Sequence, residues 1–387
     1  MSKVAHTPQL RFPEFSGDWE EKKLSDISDV RDGTHESPKY VLDGFPLITS
    51  KNLLSNGSID FENINLVSEE DYTNINKRSK VDINDILFGM IGTIGNPVIV
   101  KETGFAIKNV ALIKQQKELL NKFMIFYLSG NSIAKQFYIE NTGGTQKFLA
   151  LGVIRSLKIK FPPDTEQQKI AAFLTAVDNK IEQLIKKQEL LGEYKKGLMQ
   201  QIFSQAIRFK ADDGSDFPDW EEKKLGDILD YEQPTNYIVD STEYDNSFDM
   251  PVLTAGKSFI LGYTNETHKV FENIPVIIFD DFTTANKYVD FPFKVKSSAM
   301  KILKPKDSFV NIRLIFEFIQ MLNFPIGEHK RYWISEYQDL KIPFPSFEEQ
   351  TKIASFLSSI DNKIEQVGKQ LDESKQFKKA LLQQMFV

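Results

Sequence analysis

Phe161-Pro162-Pro163-Asp164-Thr165-Glu166-Gln167-Gln168-Lys169-Ile170-Ala171-Ala172-Phe173-Leu174, continued by Asp178-Asn179-Lys180-Ile181-Glu182-Gln183, decides the architecture because it occurs twice. At an offset of 183 the chain repeats Phe344-Pro345, Glu349-Gln350, Lys352-Ile353-Ala354, Phe356-Leu357 and Asp361-Asn362-Lys363-Ile364-Glu365-Gln366. Tyr194-Lys195-Lys196-Gly197-Leu198 returns as Phe377-Lys378-Lys379-Ala380-Leu381. A second block, Asp18-Trp19-Glu20-Glu21-Lys22-Lys23-Leu24, returns at an offset of 201 as Asp219-Trp220-Glu221-Glu222-Lys223-Lys224-Leu225. Almost nothing aligns between the two interiors, and the second is 18 residues shorter. The chain therefore reads as a variable body and a fixed segment, each present twice; the period is too long for a solenoid and points to a duplicated domain with its connector.

The fixed segments carry a helical period. From Ile170 the seam runs through Leu174, Val177, Ile181 and Leu184, then Gln188, Leu191, Lys195, Leu198 and Ile202. Steps of four and three give the 3.5-residue repeat of a coiled coil, with polar breaks at 188 and 195. The second copy runs from Ile353 to Met385. Asp164 or Thr165 in one copy and Ser346 in the other can cap the helix starts. About 39 residues make a rod of roughly 58 Å, and a lone rod would expose a long apolar stripe. Spacing alone leaves either orientation of a helix pair open, and separate helices each lying on its own domain are the alternative; antiparallel pairing is the expectation, since it sets the two bodies about a pseudo-twofold axis.

The bodies hold short β-rich runs such as Ile86-Leu87-Phe88 and Val276-Ile277-Ile278-Phe279, with helical patterns at 117–138 and 310–323. The expected class is α/β (α+β): two small mixed-sheet domains separated by two long antiparallel coiled-coil helices. The expected boundaries are an arm over 1–14, a first domain over 15–161, a spacer helix over 162–205, a second domain over 206–344 and a spacer helix over 345–387.

Composition narrows the chemistry. The 387 residues include no cysteine, which excludes disulfides, thiolate zinc sites and a cysteine nucleophile. No apolar run of about 18 residues and no charged-then-apolar leader is seen, so the expected compartment is the cytoplasm, without a membrane. Net charge is -6, which alone argues against generic nucleic-acid binding. Its distribution argues otherwise: residues 1–75 carry -7 and residues 76–160 carry +8, while 217–249 carry -8 and 250–345 carry +2. A basic half with interspersed Tyr, Asn, Gln and Thr is suited to phosphates and base edges.

Catalytic patterns fail on inspection. Ala255-Gly256-Lys257-Ser258 resembles the end of a phosphate-binding loop, but Pro251 stands where its first glycine belongs. Phe161-Pro162-Pro163-Asp164 inverts the order that amino-methyltransferases use around their paired prolines. His6, His35, His268 and His329 lack metal spacing, and Glu328-His329-Lys330 occurs in one copy alone. No catalytic residue and no metal site is expected.

The whole-chain pattern resembles the specificity subunit of a type I restriction–modification enzyme. Its carriers are Trp-Glu-x-Lys-x-Leu-x-Asp from Trp19 to Asp26 and from Trp220 to Asp227, and Phe-Pro-x-x-x-Glu-Gln-x-Lys-Ile-Ala from Phe161 to Ala171 and from Phe344 to Ala354. Asp85-Ile86-Leu87 with Gly92-Thr93-Ile94-Gly95, and Pro46-Leu47-Ile48 with Lys51-Asn52-Leu53, also resemble the family's recognition domains. The resemblance implies a non-catalytic subunit whose two target-recognition domains read the halves of a split double-stranded DNA sequence. It also implies two methyltransferase subunits, motor-nuclease subunits, and S-adenosylmethionine, ATP and Mg held by those partners rather than by this chain. Half-sites one helical turn apart lie roughly 34–36 Å from each other, so the domains should pack partly alongside the rod. The rival reading is a non-catalytic coiled-coil assembly protein whose bodies bind proteins.

Expected DNA contacts come from loops of the basic halves. In the first body these are Lys51, Asn52, Lys77, Arg78, Lys80, Lys108, Asn109, Thr145, Gln146 and Lys147. In the second they are Lys257, Ser258, Tyr263, Thr284, Asn286, Lys287, Lys330, Arg331 and Tyr332.

Overall fold

A computed structural model describes residues 7–116, 118–130, 133, 136, 148–256, 258–325 and 331–387. The chain divides into two compact units, residues 1–185 with 369–387, and residues 186–368. The division falls inside the long helices. Each unit thus holds one body, the first part of the helix that follows it and the last part of the other helix.

Those helices span Asp164–Phe203 and Phe347–Gln384. Ser346 caps the second as expected, its hydroxyl accepting from Glu349 N at 3.3 Å. The first starts differently: Asp164 is already helical, and the Pro163 carbonyl accepts from Glu166 N and Gln167 N. In the second unit Lys195 pairs with Asp361 at 2.8 Å, and Gln188 lies against Gly368. The two contacts are seven residues apart on each helix and in opposite senses, so the helices run antiparallel with a heptad step. In the first unit Lys378 pairs with Asp178 at 2.5 Å. Lys195 and Lys378 are repeat equivalents, as are Asp178 and Asp361, so one ion pair is made twice. The polar break at Lys195 therefore acts as a register mark, the use to which polar seam residues are put in coiled coils.

The repeated flanks of each body meet. Glu20–Lys23 pairs antiparallel with Lys158–Phe161, and Glu221–Lys224 pairs with Lys341–Phe344 in the same register. A short helix follows each first strand, Leu24–Ile27 and Leu225–Ile228. The start and end motifs are thus two halves of a clasp that closes the body just before the long helix.

Behind the clasp lies a buried Glu-Gln pair. Glu166 is fully buried and takes Arg11 Nε at 2.8 Å and Nη2 at 2.7 Å. Glu349, equally buried, takes Arg208 Nη2 at 2.9 Å and Trp220 Nε1 at 2.8 Å. Gln167 donates to the Pro162 and Glu118 carbonyls and accepts from Leu120 N. Gln350 repeats this with the Pro345 and Phe309 carbonyls and Asn311 N. Each glutamine so anchors the start of its body's internal helix, Asn121–Leu128 or Ile312–Met321. The arginines belong to a further repeat, Arg11-Phe12 and Arg208-Phe209, that the sequence comparison misses because four extra residues separate the second from its tryptophan.

Among the described residues each body holds three sheets, one of them the mixed sheet expected. Beside the clasp, a four-stranded antiparallel sheet has the order Val30–Asp32, Val110–Ile113, Ile86–Gly89, Gly95–Ile99. Its counterpart has the order Leu229–Glu232, Met300–Pro305, Val276–Asp280, Asn286–Val289. A smaller mixed sheet joins Phe45–Thr49 in parallel to Ala106–Lys108, and Met250–Leu253 in parallel to Lys294–Val295. The central sheets of two interiors that share almost no sequence therefore share one strand order, while the mixed sheet of the first body has one more strand, Tyr40–Val41, at its edge.

Alternation explains why the central strands read as continuous apolar runs. Ile86 and Phe88 enter a core with Leu174 of the long helix, whereas Leu87 faces Ile48 and Ile107 of the mixed sheet. Ile277 and Phe279 meet Leu357, while Val276 and Ile278 meet Leu253 and Val295. Helices, central sheet and mixed sheet form three layers in each unit. Among the described residues no helix is long and apolar enough to cross a membrane.

Arg11→Ala leaves Glu166 buried without a partner, and is expected to cost about 3–5 kcal/mol, whereas a paired Arg11→Met, Glu166→Met replacement should recover much of that loss. Chemical denaturation of the three proteins checks this; equal stability of Arg11→Ala and the native chain would refute the latch.

Candidate nucleic-acid interface

Parallel pairing brings the ends of Phe45–Thr49 and Ala106–Lys108 together, Thr49 opposite Lys108. The chain leaves these ends as the turn Ser50–Asn52 and as Asn109. The Ser50 hydroxyl ties three loops at once. It donates to the Asn109 carbonyl at 2.9 Å and accepts from Met90 N at 3.0 Å and Ile91 N at 3.3 Å. A fourth loop arrives through Gly33, where a Cβ would lie 2.2 Å from the Ile107 carbonyl oxygen. The absence of that atom lets Thr34 lie beside Lys108.

On this platform sits a polar cluster. Asp32, 4% exposed, receives Arg78 Nη2 on Oδ1 and His35 Nε2 on Oδ2, the latter at 2.8 Å. His35 Nδ1 meets Asn109 Oδ1 at 2.7 Å. These contacts, Asn109 first and Asp32 second, raise the His35 pKa above its ordinary 6.5. Lys108 Nζ donates to Ser37 Oγ at 2.8 Å across the same edge.

Of the residues expected in the first body, Arg78, Lys108 and Asn109 gather around His35, and exposed Lys51 stands on the Ser50 turn. Lys77 and Lys80 are exposed at the end of the helix Glu69–Ser79, Lys77 donating to Asn74 and Lys80 lying 3.8 Å from Asp82. Asn52 is buried, accepting from Thr49 and donating to the Asp60 and Asn63 carbonyls, so its side chain holds the turn. Thr145, Gln146 and Lys147 lie outside the described residues. Phe148, which follows them, bridges to Ile91 on the same platform.

The second body builds the equivalent edge from different residues. Lys296 N donates to the Leu253 carbonyl where the mixed-sheet strands end. The central hairpin turns through Phe282–Ala285, with Asp280 Oδ1 accepting from Phe282 N and Thr283 N. Thr284 takes a φ of 57° there, and its carbonyl accepts from Asn286 Nδ2 at 3.1 Å. Lys287 and Arg331 are exposed, and Ser258 is exposed on the turn after Met250–Leu253. Tyr332 is buried at 1%; its backbone N–H binds the Asp281 carbonyl, which brings Arg331 beside the hairpin. Tyr263 is half-buried within Ile260–Thr264, opposite Pro251 and away from these turns. Lys257 and Lys330 lie outside the described residues.

Charge counting by segment misses Asp32, His35 and Ser50, because it assigns residues 1–75 to an acidic front. The strand order folds part of that front into the basic edge. A hydroxyl followed by Lys51 at a strand end was the available signal. One further cluster, Asp240, Glu266 and His268, has metal-ligating side chains. Lys294 lies 2.6 Å from Glu266 and Lys269 lies 3.2 Å from Asp240, so ammonium groups already neutralise it.

The edge offers fixed cations, amides and hydroxyls. Comparison with known proteins agrees in kind. A family model described as "Type I restriction modification DNA specificity domain" matches residues 16–191 and again 218–374. The chain is 50% identical over 141 residues to the type I restriction enzyme EcoR124I/EcoR124II specificity subunit of Escherichia coli, a match spanning 35% of each chain. It is 26% identical over 419 aligned residues to a putative type I restriction enzyme MjaX specificity subunit of Methanocaldococcus jannaschii, covering 95% of this chain and 93% of that one. Its fold resembles the S subunit of the type I restriction–modification system of M. genitalium, with a TM-score of 0.66 at 17% identity over 98% of this chain and 99% of that one. A domain model matched twice, once in each half, places the chain in the type I restriction–modification specificity family, the non-catalytic subunits of those enzymes.

Proposed function

We propose that the chain reads a bipartite double-stranded DNA sequence, one half-site per body, and scaffolds the catalytic subunits of a type I restriction–modification complex in the cytoplasm. On this reading residues 15–161 and 206–344 are target-recognition domains, 162–205 and 345–387 are spacer helices, and 1–14 form an arm. Two methyltransferase subunits and the motor-nuclease subunits assemble on it and hold S-adenosylmethionine, ATP and Mg. The observation that carries the reading is one central-sheet strand order with different side chains at matching ends of the mixed-sheet strands: Lys51, Lys108 and Asn109 in one body, Ser258 and Lys296 in the other. A shared scaffold with divergent tips is what reading two different half-sites requires, since base edges specify and phosphates position.

Co-expression with the cognate adenine methyltransferase, followed by mapping of methylated adenines, should give a split motif that disappears when this chain is deleted. Methylation unchanged by the deletion would refute the assignment. Grafting a related chain's second body onto residues 206–344 should change one half of that motif and leave the other.

Phosphate contacts leave a salt signature. In the assembled complex Lys51→Ala and Lys108→Ala should each weaken binding to all sequences alike and reduce the slope of log affinity against log salt by about 1. An unchanged slope removes that lysine from the interface.

A further inference from the structure

Asn109 is held at both ends of its backbone. Its N–H donates to the Thr34 carbonyl at 3.1 Å, and its carbonyl accepts from Ser50 Oγ at 2.9 Å. Its φ of 54° lies in the left-handed region, which asparagine tolerates better than most residues. The side chain is half exposed, and among the described residues its Nδ2 donates to none. Asn109 therefore presents one amide atom to His35 and the other outward.

The histidine decides which. Both ring nitrogens face oxygen atoms, Asp32 Oδ2 and Asn109 Oδ1, an arrangement in which both hydrogen bonds form only when the ring is an imidazolium. Loss of the Nδ1 proton would set a lone pair against the amide oxygen. A half-turn of the amide relieves that clash, with Nδ2 donating to the ring and Oδ1 turned outward. The other charged groups around the ring are Arg78 and Asp71 from the helix, Glu36 from the loop and Lys108 from the neighbouring strand. Arg78 opposes the charged ring, while Asp32 favours it.

We propose that Asn109 reads a base edge in the half-site of the first body, and that the charge on His35 selects which atom of its amide faces the DNA. With His35 charged, Asn109 donates through Nδ2 to an acceptor such as purine N7 or guanine O6. With His35 neutral, it accepts through Oδ1 from an exocyclic amine of adenine or cytosine. His35 is a positioning residue here, and Asp32 orients His35 and Arg78 together. The sign follows from the raised pKa: the donor state prevails at low pH and is lost as pH rises through that raised value.

The inference rests on the DNA-reading assignment, and the test separates the two. The complex with its methyltransferase subunits is titrated with duplexes carrying the mapped motif, and with duplexes altered at single positions of one half-site, between about pH 5.5 and about pH 8.5. Asn109→Gly, which keeps the left-handed backbone, should reduce discrimination by about ten-fold at one base pair and leave the other half-site unchanged. The native preference at that base pair should shift with pH, and His35→Gln should abolish the shift. Asn109→Asp, a second variant suited to this backbone, should also change preference at that position. A chain-dependent motif whose discrimination is untouched by Asn109→Gly and Asn109→Asp overturns this inference alone. Discrimination that falls in Asn109→Gly but does not vary with pH in the native complex overturns the His35 control. A methylation motif independent of this chain overturns the DNA-reading assignment and this inference together.

Discussion

The carboxylates of Glu166 and Glu349 are the constraint on which the remaining structure depends. A buried, unpaired carboxylate is costly, so each must bring an arginine from well upstream, Arg11 or Arg208, to the foot of the long helix. That requirement draws the entering segment across the helix start. The next residue, Gln167 or Gln350, fixes the body's internal helix to the same point. The clasp strands close beside it. Three chain segments distant in sequence are thus joined where each body becomes a helix. Arg11 and Arg208 are held charged by these contacts, above the ordinary arginine value, chiefly through their bonds to Glu166 and Glu349.

This closure permits divergence elsewhere. With the body locked at its base, the far loops need satisfy only the strand ends from which they emerge. In the first body Ser50 performs that task for three loops; in the second, Thr254 instead binds Ser258 within one turn. The central strands keep their alternation because both faces are covered, and substitutions at the tips leave it untouched. A pair of domains can in this way keep one central-sheet strand order while losing nearly all interior sequence identity.

Much of the frame was legible in the residues. The heptad of Ile170 to Ile202 specifies long helices by periodicity, which depends on local spacing alone. The internal helices lie inside the expected stretches 117–138 and 310–323, at Asn121–Leu128 and Ile312–Met321. The polar break at Lys195 is visible in the seam, but its role as a register mark is not, since its partners Asp361 and Glu317 are distant in sequence. Among the described residues the mixed sheet expected in each body is accompanied by an antiparallel central sheet and the clasp pair. Short apolar runs do not state which runs pair, and the clasp strands Glu20–Lys23 and Lys158–Phe161 are mostly charged.

By itself the sequence determined the duplication, the two long helices, the motifs that become the clasp and the lack of thiol chemistry. These follow from identity, period and composition, which are properties of local spacing. Only the tertiary structure decided which side chains share an edge. Asp32, His35, Arg78 and Asn109 meet because Thr49 pairs in parallel with Lys108 and Gly33 admits the backbone of Ile107. Such pairings are set by burial of both faces of a sheet, a condition satisfied by the folded layers as a whole and by no segment alone.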